Sequence, residues 1–272
     1  MLARVPVLIS HEHVVFDHKR VQRVLLNKLL APVTDGFIAV GNAVAQQVLG
    51  WYGYPAQKVQ VIHNGVDTAR FVPPQSRAEA KCKLGLDPQR MAVGMICRLD
   101  HEKGHRFFFD AVRALESRFA VQWLVVGTGR GEQQIRQEAE ERGVGNTVQF
   151  LGLRRDVPDL LAAMDIYVLP TLQEGFPNSL LEAMAAGCAV VASDFPGNLE
   201  LVQDQQNGLV APMGDSGALT DCIEKLLAHE DLRIRLGAEA RRHVESTFSI
   251  EHSVKKTENF YERLWRERRA AR

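Results

Sequence analysis

The sequence of 272 residues has no surplus of charge, no long apolar run and no cysteine motif. Its 33 basic side chains are balanced by 33 acidic ones, whereas a general nucleic-acid binder needs a basic surplus. The longest strongly apolar run, Ala183–Ala192, is far shorter than the roughly 20 residues that cross a bilayer. The four cysteines form no C-x-x-C pair and no other zinc or disulfide spacing, which predicts reduced thiols and a cytoplasmic protein.

The sequence does contain a regular alternation of short apolar segments with amphipathic ones. The predicted strands are Val5–Ser10, Gly36–Val40, Val59–Ile62, Met91–Ile96, Val121–Val126, Thr147–Leu151, Ile166–Leu169, Ala189–Ala192 and Leu209–Ala211. The predicted helices are Arg20–Leu30, Ala43–Gly50, His105–Arg118, Glu132–Arg142, Val157–Met164, Ser179–Ala186 and Ala218–Ala228, with two or three more between Asp231 and Arg269. This alternation predicts an α/β fold with parallel sheets covered on both faces.

A domain boundary is predicted near residues 67–90, where two consecutive prolines precede a polar, charged helix. A complete set of strand–helix units follows this stretch, but only three strands precede it. Three strands are too few for an independent doubly wound domain, so we expect residues 1–66 to be the last part of a domain.

The stretch "ICRLDHEKGHRF" places two cations after a buried strand and before a helix. Ligands of parallel sheets bind beyond the carboxyl ends of the strands, and helix N-termini favour anions. Arg98 and Lys103 could therefore hold a phosphate or pyrophosphate. The alternative is that both are surface cations on a strand–helix loop.

The stretch "LVVGTGRGEQQI" resembles a dinucleotide fingerprint, with Gly127, Gly129 and Gly131 after a strand. The G-x-G-x-x-G motif requires glycine at position 132, which is Glu132 here. A tight turn is the better interpretation, and this weakens the hypothesis of an NAD-dependent dehydrogenase.

The stretch "PTLQEGFPNSLLEAMAAG" leads from a buried strand through a turn into a helix. Glu174 lies in the turn and has no evident structural role, which favours a functional one. Glu182 lies eight residues later and has two interpretations. It could bind a ligand, or it could form a capping box with Ser179, which would contribute about 1 kcal/mol without any ligand.

Two histidines, His11 and His13, lie at the end of the first predicted strand with Glu12 between them. A metal site would need a third or fourth ligand, and the sequence identifies none. A histidine at the carboxyl end of a strand is better explained as a functional group of an active site, and the choice between the two stays open.

Three stretches together, "ICRLDHEKGH", "VIHNGVD" and residues 150–202, resemble the retaining glycosyltransferases of the family-four kind. The resemblance implies a GT-B fold, with one complete Rossmann-like domain and a partial second one. It implies the end of an acceptor domain at 1–67, a nucleotide-sugar donor domain at 68–250 and a helix that packs back on the acceptor domain at 251–272. Cys97 departs from the family, which usually has a glycine there.

The resemblance also implies roles for individual residues. Arg98 and Lys103 would hold the donor pyrophosphate, Glu174 the sugar hydroxyls and Glu182 the ribose hydroxyls. A histidine, His13 rather than His11, would lie near the reacting centre of the sugar. The turn and helix start that would cradle the sugar and phosphate comprise Gly175, Phe176, Pro177, Asn178 and Ser179.

The resemblance implies transfer of a hexose-type sugar from a UDP- or GDP-linked donor to a glycan or lipid-linked acceptor, with retention of configuration. No cofactor and no metal are expected, because fixed cations can stabilise the leaving diphosphate. The alternative is a module that binds nucleotide sugar and needs a partner chain for the rest of the acceptor domain, in which case the fragment alone is inactive. The arginine-rich last helix could contact the inner face of a membrane, but packing against the acceptor domain is the plainer interpretation.

Overall fold

The computed structural model describes residues 5–13, 21–73 and 76–270. The chain forms two compact units. The first comprises Met1–Gly65, Glu174–Phe176 and Phe248–Arg272, and the second comprises Val66–Gln173 and Pro177–Thr247. Each unit contains its own parallel sheet.

The first unit contains a three-stranded sheet in the order β1-β2-β3. Its strands are β1 (Ile9–Glu12), β2 (Gly36–Ala39) and β3 (Val59–Val61). The helical segments of this unit are α1 (Val21–Leu30), α2 (Asn42–Gln47), the π-helix Val48–Tyr52, the 3-10 helix Ala56–Lys58 and, from the end of the chain, α11 (Ile250–Ala270).

Helix α11 packs against the sheet of the first unit through Phe260 and Leu264, which form a small core with Ile38 and Ile62. The helix approaches closely because position 36 is glycine. A Cβ on Gly36 would lie 2.5 Å from Leu264 Cδ1.

Helix α1 buries none of its side chains. Leu25, Leu26 and Leu29 are all more than half exposed. A helix with leucines on its open face presents an apolar surface to its surroundings.

The second unit contains a six-stranded sheet in the order β6-β5-β4-β7-β8-β9, and all strand pairs in it are parallel. Its strands are β4 (Met91–Ile96), β5 (Val121–Val126), β6 (Val148–Gly152), β7 (Ile166–Leu169), β8 (Ala189–Ser193) and β9 (Leu209–Ala211). Its helices are α3 (Arg77–Lys83), the 3-10 helix His101–Lys103, α4 (His105–Leu115), α5 (Glu132–Glu141), α6 (Val157–Ala163), α7 (Asn178–Ala185), α8 (Pro196–Leu199), α9 (Ser216–Ala228) and α10 (Glu230–Thr247). This strand order is that of a doubly wound, Rossmann-like sheet.

The central strands of this sheet are buried on both faces, as their continuous apolar runs predict. Helix α4 buries three phenylalanines in succession, and Phe108 meets Trp123 of β5 edge to face with ring centroids 5.8 Å apart. The hydrophobic core between these helices and the second sheet supports the carboxyl ends of the strands, from which the loops emerge.

The predicted α/β class with parallel sheets is confirmed. The bounds of the first strand were wrong, because β1 runs from Ile9 to Glu12 and not from Val5 to Ser10. The Leu8 N–H donates to the Asp35 carboxylate at 2.8 Å, and regular pairing with β2 begins only at Ile9. The start of the predicted helix at Arg20 lies outside the described residues.

Candidate functional site

The strand order of the second unit reverses between β4 and β7. The two loops that leave these strands are therefore neighbours at the carboxyl edge, where doubly wound sheets bind their ligands. Arg98 and Lys103 lie on the loop after β4, and residues 171–173 lie on the loop after β7.

The loop after β4 turns through the 3-10 helix His101–Lys103 into helix α4. Gly104 makes this turn with a φ of 74°, and a Cβ there would lie 2.0 Å from the Pro170 carbonyl oxygen. Only glycine fits both the backbone conformation and the close approach to the β7 loop. Lys103 is buried beside the start of α4, where the helix dipole favours an anion.

Arg98 is exposed and forms two ion pairs, with Asp100 and with Glu102, each at 2.9 Å. Exposed ion pairs of this kind contribute only about 0–1 kcal/mol. A diphosphate can therefore replace these carboxylates, because phosphate forms strong charge-assisted bonds with arginine.

The glycines after β5 are explained by the packing of two backbones. A Cβ on Gly127 would lie 2.0 Å from the Cys97 carbonyl oxygen, and one on Gly129 would lie 2.3 Å from that of Leu99. The β5 loop thus lies directly against the β4 loop. This contact accounts for both glycines without a dinucleotide fingerprint, in line with the tight-turn interpretation.

Helix α7 begins at Asn178, with Pro177 at the N-cap and no side-chain cap. The capping-box interpretation of Ser179 and Glu182 is therefore wrong. The helix starts one residue earlier than predicted, so Ser179 is already inside its first turn. The Ser179 hydroxyl is hydrogen-bonded at 2.8 Å to that of Tyr167 in β7.

Glu182 is half-buried on α7, and no hydrogen bond or ion pair of its carboxylate is found among the described residues. Burial raises the pKa of its carboxyl group, and the charge of Arg70 opposes this effect. Because this carboxylate is partly desolvated and does not cap the helix, it does not stabilise the fold.

The short segment Glu174–Phe176 belongs to the first unit. Phe176 is buried there, with ring centroids 5.0 Å from His63 and 5.6 Å from Phe248. This aromatic cluster anchors the turn that carries Glu174 and Gly175.

His11 and His13 are both exposed at the end of β1. His11 Nε2 lies 3.2 Å from the hydroxyl oxygen of Tyr261. Partial desolvation of the His11 ring, followed by the charge of the neighbouring His13, lowers the pKa of His11. Glu12 between them is buried and bound by both its oxygens to Arg23, at 2.9 and 2.7 Å. Within the described ranges, no cluster of three or more His, Cys, Asp or Glu residues could hold a metal ion.

Sequence reasoning missed two residues that shape this edge of the second sheet. The Tyr167 hydroxyl is hydrogen-bonded at 3.0 Å to the carbonyl oxygen of Ile96, so it ties β7 to β4. His105, at the start of α4, lies with its Nε2 3.5 Å from Cys97 Sγ. Burial lowers the pKa of His105 to about 4, so this imidazole is neutral at neutral pH. The only indication in the sequence was for Tyr167, a residue with a polar hydroxyl group within the apolar run Ile166–Leu169.

Among the described residues, no helix combines the length and the apolar character needed to cross a bilayer.

The sheet order and the loops at its switch point define an α/β protein of the doubly wound, Rossmann-like class. Residues 90–229 match the family model of the glycosyl transferases group 1, and residues 1–70 match that of glycosyltransferase family 4. The chain therefore belongs to the glycosyltransferases of the family-four kind, and the family predicted from its motifs is confirmed.

Individual relatives agree with this assignment. The chain is 34% identical over 218 residues to the lipopolysaccharide core biosynthesis mannosyltransferase LpsB of Rhizobium meliloti, covering 76% of this chain and 61% of the relative. It is 33% identical over 220 residues to the N,N'-diacetylbacillosaminyl-diphospho-undecaprenol alpha-1,3-N-acetylgalactosaminyltransferase of Campylobacter jejuni, covering 79% and 57%. The chain thus spans about three fifths of the length of these relatives.

A solved structure gives the same result for the fold. HepE of Anabaena, in complex with UDP and glucose, superimposes with a TM-score of 0.87 at 25% identity, covering 94% of this chain and 71% of that one. The predicted GT-B type of fold is confirmed by this similarity.

Proposed function

We propose that the chain is the donor-binding part of a glycosyltransferase that moves a hexose-type sugar from a UDP- or GDP-linked donor to a glycan or lipid-linked acceptor. The observation that carries this proposal is the position of Arg98, Lys103 and the N-terminus of α4 at the switch point of the second sheet. The relatives named above for mannose and N-acetylgalactosamine transfer support it, one of them by its lipid-linked acceptor.

In this proposal, Arg98 and Lys103 bind the diphosphate of the donor. When the bond between sugar and diphosphate breaks, negative charge builds up on the leaving phosphate. Fixed cations and a helix N-terminus stabilise that charge, and they do so most strongly where water is excluded. Lys103 is buried, so its charge is less screened than that of Arg98.

Glu182 is proposed to accept hydrogen bonds from the ribose hydroxyls of the nucleotide. Its carboxylate is half-buried and has no hydrogen-bond donor in the part of the chain that the structure describes, so two hydroxyl donors would satisfy it. Backbone groups from Gly175 to Ser179 are proposed to cradle the sugar and the phosphates, since this segment leads into the N-terminus of α7.

Glu174 is proposed to bind sugar hydroxyls, and His13 or His11 to lie near the reacting carbon of the sugar. These two roles and the retention of configuration rest on the family resemblance. Glu174→Gln should abolish transfer while leaving the unfolding transition unchanged, and an unchanged rate in a full-length enzyme would exclude the role.

The proposal is tested by calorimetric titration of the purified chain with UDP, GDP, uridine and guanosine. Arg98→Ala and Lys103→Ala should each weaken UDP or GDP binding about tenfold, the effect of one lost charge-assisted bond, and leave binding of the corresponding nucleoside, uridine or guanosine, unchanged. Arg136→Ala is the matched control, because Arg136 is an exposed arginine that pairs with Glu132 on α5. Equal losses for nucleotide and nucleoside would contradict the diphosphate role.

A second candidate is a module that binds nucleotide sugar but needs another polypeptide for transfer. The open apolar face of α1, with Leu29 77% exposed, favours it because such a face is suited to packing against protein. Binding of UDP without transfer or donor hydrolysis would support this candidate, and turnover by the chain alone would exclude it.

A cytoplasmic location with contact to the inner membrane face is also a proposal. Phe260 and Leu264 of α11 are buried, whereas Tyr261 and Trp265 are nearly half exposed on a helix rich in arginine. Sedimentation with vesicles containing anionic lipid, compared between wild type and Trp265→Ala, tests the contact.

A further inference from the structure

A chain of buried hydrogen bonds runs beneath the carboxyl edge of the second sheet. It joins Asn198 on α8 to Ser193 at the end of β8, then to Thr171 on the β7 loop, and ends at the carbonyl of Glu102 on the β4 loop. The three side chains of Asn198, Ser193 and Thr171 are at most 2% exposed. Three loops from three strands are thus connected by polar groups that water does not reach.

The geometry gives each donor an acceptor. Asn198 Nδ2 donates to both the carbonyl and the hydroxyl oxygen of Ser193, each at 3.0 Å. The Ser193 hydroxyl donates to the Thr171 carbonyl at 2.6 Å. Thr171 Oγ1 lies 2.9 Å from the Glu102 carbonyl oxygen and 3.0 Å from that of Gln173.

The β4 loop receives a second bond at the same atom. The Leu172 N–H donates to the Glu102 carbonyl at 2.7 Å. The carboxylate of Glu102 pairs with Arg98, and Lys103 is the next residue in the chain. Displacement of Thr171 would therefore move the segment that carries both proposed diphosphate ligands.

The chain of bonds does not maximise stability. Asn198 is fully buried, yet its Oδ1 has no hydrogen-bond partner among the described residues. A buried, unsatisfied oxygen costs folding free energy that an apolar side chain of similar size would avoid. A local departure from the rule that buried polar atoms are satisfied, directly under these loops, is typical of a functional site.

We propose that Thr171, Ser193 and Asn198 are positioning residues that hold the β4 loop in the geometry that binds the donor diphosphate. This inference rests on the proposed function, since it requires that Arg98 and Lys103 bind that group. The three residues act through the backbone of Glu102 and do not contact the ligand. They should therefore affect the diphosphate and not the nucleoside.

The test compares Thr171→Val with Thr171→Ser by titration with UDP and with uridine. Thr171→Val removes the hydroxyl at constant volume and should lower UDP affinity about fivefold, with uridine affinity unchanged, because loss of the bond shifts the loop away from its binding geometry by about that factor. Thr171→Ser keeps the hydroxyl and should restore UDP binding. Thr220→Val is the matched control, because the Thr220 hydroxyl also donates to a carbonyl, 2.7 Å away, but within α9.

A second variant, Ser193→Ala, breaks the chain one bond further from the loop and should give the same selective loss. The proposal is overturned if the ratio of UDP to uridine affinity stays at the wild-type value, whether or not both affinities fall. It is also overturned if neither Thr171→Val nor Ser193→Ala folds. Failure of the wild-type chain to bind either diphosphate, UDP or GDP, more tightly than the corresponding nucleoside would instead overturn the proposed function.

Discussion

Burial of the Glu182 carboxylate costs folding free energy, and no side-chain hydrogen bond to it among the described residues offsets that cost. Because burial raises the pKa of this carboxyl group above its ordinary value, the charged form is less favourable in the folded chain than in the unfolded chain. Its contribution to stability is therefore greatest below the ordinary pKa of glutamate, and it declines as the pH rises through the raised pKa.

Glu182→Gln should stabilise the folded chain at neutral pH and weaken UDP binding. The gain in unfolding free energy should disappear in acid, where the wild-type carboxyl group is already protonated. Urea unfolding at neutral and acid pH, with UDP titration at neutral pH, measures both effects. Glu267→Gln, which removes an exposed carboxylate on α11, should change neither, and a loss of stability in Glu182→Gln would contradict the assignment.

Gly104 and Gly85 form a natural pair of test positions, because both have a left-handed φ, of 74° and 72°. A Cβ on Gly104 would meet the Pro170 carbonyl oxygen at 2.0 Å, whereas one on Gly85 would meet nothing within 4 Å. Gly85→Ala should lower the unfolding free energy by about 1–2 kcal/mol, the cost of the conformation alone. Gly104→Ala should cost about 1–3 kcal/mol more, because the overlap adds to it. Equal losses in urea unfolding would show that the two loops are not locked together.

Among the contacts between elements, a buried ion pair joins α3 to the start of β7. Lys81 Nζ lies 2.7 Å from Asp165 Oδ2 and donates to the Arg90 carbonyl at 2.8 Å. Asp165 Oδ2 also accepts from the Ala92 N–H at 2.8 Å, so three elements meet at this group.

Lys81→Met should lower the unfolding free energy by about 3 kcal/mol, because it leaves Asp165 as a buried charge that has lost its closest cation. Urea unfolding followed by fluorescence of the buried Trp123 measures the change. Arg242→Met is the control, since it breaks the exposed pair with Glu239 and should cost less than about 1 kcal/mol. Similar losses in both variants would mean that the buried Lys81–Asp165 pair contributes no more to stability than an exposed pair.

Helix α11 buries Phe260 and Leu264 against the first sheet. Leu264→Ala should lower the unfolding free energy of the first unit by about 2–5 kcal/mol, because Leu264 is buried above Gly36. Tyr261→Ala on the same helix should cost less, since Tyr261 is 43% exposed. Hydrogen exchange of the α11 amides distinguishes the variants, and equal protection in both would refute the packing role.

The sequence predicted the bounds of β4, β5, β7 and β9 as observed, because a strand buried on both faces is a continuous apolar run with clear ends. It also predicted which loops of the second unit lie at the carboxyl edge, since parallel order follows from the alternation of strand and helix. It misplaced the start of α7, because Asn178 and Ser179 are both good first residues for a helix. It could not predict the bonds of Asn198 and Lys81, because the type of a polar residue does not indicate whether its side chain is buried.

The chain as a whole has equal numbers of acidic and basic groups and an exposed apolar face on α1. Without net charge, molecules do not repel one another, so apolar patches make contact easily. Leu29→Lys should raise the solubility of the chain at neutral pH without changing its melting temperature. Gln22→Lys adds the same charge to the same helix and should help less, as light scattering at increasing concentration would show. Equal gains would assign the effect to charge alone.

The anchoring of Phe176 has a consequence for building hybrid enzymes. Residues 174–176 interrupt the second unit in sequence, yet their aromatic partners, His63 and Phe248, belong to the first. A hybrid that exchanges residues 66–247 as one block would therefore bring in a foreign segment against native partners. If the residues at positions 63 and 248 come from the same source protein as the block, the turn that carries Glu174 should be preserved. The unit to exchange is therefore a set of contacting residues and not a continuous stretch of sequence.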